Sequence, residues 1–132
     1  MKAPPKGMHY VHMGAFPIFV GFTCDRNAFV REMKRLGVKA PPPFLGSNHA
    51  HATTHELEAS IGLTCIITFD AQTAKKQSLA QAVALLAHEA VHVLQKLKSY
   101  IGEHNPGAEF EAYTVQWVTQ FCVEKYLNRG RS

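Results

Sequence analysis

One ten-residue stretch narrows what this chain can fold into: Leu85-Leu86-Ala87-His88-Glu89-Ala90-Val91-His92-Val93-Leu94. It lies inside a strongly helical segment that opens at Ser78, which forms a capping-box pattern with Gln81 and predicts a helix from Leu79 to about Lys98. On a helical wheel Leu79, Val83, Leu86, Ala90, Val93, Leu94 and Leu97 make one continuous apolar stripe. His88 and His92 fall nearly opposite that stripe. Residues four apart sit one above the other on a helix face, about one turn apart. Two imidazole nitrogens so placed suit one tetrahedral zinc ion, and the glutamate between them can reach a zinc-bound water.

The remaining chain reads as one domain of α+β class. Its 132 residues, 46% hydrophobic and 18% charged, suffice for a core of their own. Residues 1–9, with Pro4, Pro5 and Gly7, read as a loose arm. Residues 16–23 (FPIFVGFT) are rich in aromatic and β-branched side chains and predict a strand. Asp25 is a good N-cap for a helix over 26–36, with Gly37 as its stop. Ala40-Pro41-Pro42-Pro43 is a stiff connector that cannot enter a helix or central strand. A short edge strand is expected near 52–58, and the apolar run 61–69 predicts a central strand. A linker over 70–77 leads into the long helix. Pro106 suits the first turn of a last helix from 108 to about 127, and 128–132 should fray.

A catalytic zinc site needs a third protein ligand and an open position for water. The last helix offers Glu109 and Glu111. Glu111 shares a face with Val115, Val118 and Cys122, whereas Glu109 shares one with Gln116 and Gln120. A carboxylate on an inward face is costly without a partner, and zinc would be one. Glu111 is therefore the expected third ligand and Glu109 the fallback. The set His88-Glu89-Ala90-Val91-His92, then Glu111-Ala112, resembles the gluzincin class of zinc metallopeptidases, and in particular small single-domain H-E-x-x-H proteins of phages and prophages. The resemblance covers residues 78–122. It implies a minimal zincin-like fold: about three strands packed on the H-E-x-x-H helix, with a C-terminal helix supplying the third ligand. It also implies one Zn2+ per chain and hydrolysis of a peptide or protein substrate. Glu89 would act as general base and then pass the proton to the leaving amine. His55, Tyr100, His104 and Tyr113 are candidates for stabilising the oxyanion or contacting substrate.

Other readings stay open at this stage. A structural zinc would need a fourth protein ligand, with His55 or His104 available. His49, His51 and His55 would share a face in a strand and form a second metal cluster, although the neighbouring Gly46-Ser47-Asn48 turn favours loop histidines. A two-His, one-Glu site also accepts iron. The alternative from another functional class is a non-catalytic, zinc-stabilised module that contacts a protein or DNA. The net charge of +4 comes without a basic run, which disfavours nucleic acid as the partner. Cys24, Cys65 and Cys122 are odd in number and lie in or beside apolar stretches, as expected of reduced thiols. With no signal-peptide pattern and no apolar run long enough to cross a bilayer, the expected location is cytoplasmic. The oligomeric state is not readable from these residues.

Overall fold

The computed structural model describes residues 3–47, 50–59 and 62–129. Its elements are β1 (His9–His12), β2 (Ile18–Thr23), α1 (Arg26–Arg35), β3 (Ala52–Ala59), β4 (Gly62–Phe69), α2 (Ala71–Ala74), α3 (Leu79–Ile101) and α4 (Ala108–Leu127). The class is α+β, as expected, built on one mixed sheet of order β1-β2-β4-β3. The parallel pair β2–β4 is central, with Ile18 opposite Leu63 and Thr23 opposite Thr68. β1 and β3 run antiparallel to their neighbours and form the edges.

Local chemistry accounts for most of these elements. The Asp25 carboxylate caps α1 by accepting from Asn27 N at 2.8 Å and Ala28 N at 3.1 Å. The Ser78–Gln81 capping box forms in both directions, at 2.8 and 3.1 Å. Every residue of β4 is buried, so its apolar run reflects a strand covered on both faces. At its start Gly62 is required, because a Cβ there would stand 2.3 Å from the Pro17 carbonyl oxygen. That carbonyl accepts from Leu63 N at 2.9 Å and ties the start of β2 to β4.

Alternation along the strands divides the core between the two sheet faces. Ile18, Val20, Phe22, Leu63, Cys65, Ile67 and Phe69 pack with α3 and α4 on one face. Ile66 packs with Phe29 and Met33 of α1, and with Met8 and Phe44, on the other. Burying each large apolar side chain contributes roughly 1.5–3 kcal/mol, so the strand side chains beneath α3 and α4 anchor those helices.

Three features differ from the sequence reading. The expected arm over 1–9 reaches a real strand: β1 begins at His9, so His9 and His12 are strand rather than loop residues, and Met8 is buried. Tyr10 in β1 donates to the fully buried Glu32 of α1, whose carboxylate also accepts from Arg35 Nε at 2.6 Å and Nη2 at 2.7 Å. The linker over 70–77 contains the single turn α2. α3 runs three residues past its expected end, to Ile101, before Gly102 closes it in a left-handed conformation. Ile61 and residues 130–132 of the expected tail lie outside the described residues.

Candidate metal centre

α3 packs its apolar stripe on the sheet and sends His88 and His92 outward, as its wheel predicts. The side chain of His88 is 65% exposed, and that of His92 is half-buried. Their Nε2 atoms approach to 3.3 Å. Two nitrogens held by one tetrahedral zinc at 2.0–2.1 Å would be separated by roughly 3.3–3.4 Å. The spacing between the two imidazoles thus fits a shared ion. Among the described residues, His88, Glu89 and His92 form the group of donors able to hold a metal, with ligand atoms all within 4.8 Å of one another.

Two residues outside the motif hold this group in place. His92 Nδ1 lies 2.9 Å from Gln95 Oε1. An amide oxygen can only accept, so Nδ1 carries the hydrogen of neutral His92 and Nε2 presents its lone pair. His88 Nε2–H then donates across the gap to His92 Nε2, and a metal would replace that proton. Glu89, by contrast, points inward from the same turn and is 5% exposed. Thr54 Oγ1, on edge strand β3, donates to Glu89 Oε1 at 2.8 Å. The other carboxylate oxygen, Oε2, stands 4.0 Å from His88 Nε2. Thr54 thereby fixes one oxygen of Glu89 and leaves the second towards the imidazoles.

The expected third ligand is placed elsewhere. Glu111 does face α3, as its wheel position implied, but its Oε2 lies 3.3 Å from Lys98 Nζ. Lys98 is six residues beyond His92, roughly 9 Å further along the helix and about 120° round it. Glu111 is outside the His88–Glu89–His92 group, and the fallback Glu109 is exposed in the first turn of α4. The reason is the length of α3, which carries the hairpin to α4 past the level of the histidines.

The four candidates for oxyanion or substrate contact are scattered. His55 points to the opposite face of the sheet from Thr54, as adjacent strand residues must. It is buried there, with Nε2 3.1 Å from both the Phe44 carbonyl and Thr68 Oγ1, and its ring against Phe29. Burial lowers its pKa, keeping it neutral. Tyr100 is near the far end of α3, and His104 is exposed in the turn after it. Tyr113, 63% exposed, lines a groove between α4 and the β1–β2 turn. His51 is exposed just before β3, His49 lies outside the described residues, and no second metal-competent group occurs among the described residues. Cys65 and Cys122 are buried and free, and burial pushes both thiols up, Cys65 to about 12.

Sequence reasoning missed Thr54 and did not assign Gln95. Gln95 had a signal, since it follows His92 by three residues on one helix face. Thr54 had none, because the register of β3 against α3 is set only in three dimensions. No helix among the described residues is long and apolar enough to cross a membrane. Comparisons with protein-family models, curated proteins and solved structures find no match.

Proposed function

We propose that this chain is a zinc-dependent metallopeptidase in which His88 and His92 supply two of the ion's protein ligands and Glu89 is the general base. The observation that carries this reading is the 3.3 Å separation of the two Nε2 atoms beside a buried, oriented carboxylate. A bound zinc ion would supply a Lewis acid and a water of lowered pKa. The chain's own residues do the rest. Gln95 sets the His92 tautomer, Thr54 holds Glu89 Oε1, and Oε2 accepts a proton from water and returns it to the leaving amine. A peptide substrate suits the surroundings, because β3 is an edge strand whose outer backbone groups can pair with an extended chain beside Glu89.

One observation favours a second reading. Glu89 belongs to the same compact group as the histidines while Glu111 is engaged by Lys98. If Glu89 is itself the third ligand, the centre has no base and serves a non-catalytic module that binds a protein or DNA. Glu89→Gln separates the two. The peptidase reading expects hydrolysis of a broad peptide library to vanish while zinc affinity stays within about threefold. The module reading expects no hydrolysis by the native chain and a marked loss of zinc affinity in the variant.

A further inference from the structure

Far from α3's histidines in sequence, a cavity of about 740 Å³ opens where the start of β1 meets the carboxyl end of β2. Lys6, Arg31, Lys125 and Arg129 line it, and Asp25 is the one carboxylate among its lining residues. Counting charges shows how uneven this is. The chain has 14 Lys and Arg against 10 Asp and Glu. With four of those cations and one of those carboxylates at the cavity, ten cations face nine carboxylates in the remainder. Three of the four net positive charges therefore converge on one cavity.

These cations also have no carboxylate partner among the described residues. Arg35, Lys96 and Lys98 each have a carboxylate within 3.3 Å. Among the described residues, none of Lys6, Arg31, Lys125 and Arg129 has one within 4.0 Å. Asp25 offsets only one of the four positive charges, and its Oδ1 also caps α1. Arg129 is held in place by its guanidinium, which lies 4.0 Å over the Tyr126 ring and donates to the Tyr126 carbonyl at 2.7 Å. The field reaches into the cavity: besides burial, the charge of Lys125 lowers the pKa of His9. Like charges gathered without counter-ions repel, and a bound anion relieves that repulsion.

We infer that this cavity binds a small phosphate-bearing molecule, its phosphate on these cations and its body against the lip formed by Pro4 and Pro5. Arginine and lysine together suit phosphate, the one by bidentate hydrogen bonds and the other as a point charge. A nucleic-acid strand fits less well, since its phosphates need cations spread along a track rather than gathered in one pocket.

Calorimetric titration tests this, using ADP, inorganic pyrophosphate and a short DNA duplex at about 150 mM KCl. Saturable one-to-one binding of ADP or pyrophosphate supports the inference; equal affinity for both shows that phosphate alone is read, and preference for ADP shows that its body contributes. Lys125→Glu and Arg31→Glu should each weaken that binding roughly tenfold or more, and the exposed Lys34→Glu less than about twofold. Arg31→Gln repeats the test if a charge reversal disturbs folding. His92→Ala should leave the affinity unchanged, separating this cavity from an anion bound at the metal centre. Binding of the duplex alone, no binding of either phosphate compound at about 5 mM, or indifference to the cavity variants would overturn it.

Discussion

Thr54→Val removes one hydrogen-bond donor while keeping the shape of the side chain. The lost bond is the 2.8 Å contact to Glu89 Oε1, whose residue is only 5% exposed. Among the described residues no other group donates to that carboxylate, since His88 Nε2 is 4.0 Å away. A hydrogen bond to a charged group contributes roughly 1.5–3 kcal/mol net, and stranding a buried carboxylate places the cost toward the upper end. For a domain of this size about 2.5 kcal/mol lowers the melting temperature by roughly 7–12 °C. Urea denaturation followed by circular dichroism should show a lower midpoint with an unchanged slope. In a Glu89→Leu background the same substitution should cost less than about 1 kcal/mol, because only the longer 3.3 Å contact of Thr54 Oγ1 to the carbonyl of residue 89 remains. A single variant within about 0.5 kcal/mol of the native chain, or an equal loss in both backgrounds, would refute the claim that Thr54 positions Glu89.

Gln95→Ala should weaken zinc binding by about tenfold with little change in stability, read by competition with a chromophoric chelator. Stability should also depend on pH through His55. Burial holds its folded pKa below the usual 6.5, so the unfolded chain binds the proton more readily. Its contribution is complete above about pH 6.5 and is lost as pH falls from there through the lowered folded value. Melting curves of the native chain should shift down over that window, and His55→Gln should flatten the shift.

The parts of this architecture that were readable in advance are those whose causes are local. α3 carries its own cap at Ser78, its own stripe and its own outward histidines, all within one turn-by-turn pattern. β4 announces itself because every residue in it is buried. β1 has no such signature: four residues, two of them histidines, become a strand through pairing with β2 and through Tyr10 meeting Glu32, 22 residues away. Glu111 shows where local reasoning stops. The wheel gives its face correctly, since it does look toward α3. Its height along α3 depends on where the helix ends, and the extra residues Ser99, Tyr100 and Ile101 bring it to Lys98 instead of the imidazoles. Likewise the alternation of β3 separates Thr54 from His55, but only the packed structure decides which of the two meets α3.

His88 and His92 are consequently the fixed part of the candidate metal centre, and the identity of further ligands would follow from tertiary packing. The cavity lined by Lys6, Arg31, Lys125 and Arg129 is independent of that centre, both in its residues and in its test.

Metal content by mass spectrometry tests the central claim most directly, measured on the native chain, His88→Ala, His92→Ala and Glu111→Ala after purification with limiting zinc. The arrangement predicts about one zinc per native chain, near zero in either histidine variant, and retention in Glu111→Ala. Absence of zinc from the native chain, or its persistence when His88 or His92 is removed, would contradict the account. Its loss from Glu111→Ala would show that Glu111 leaves Lys98 to complete the site.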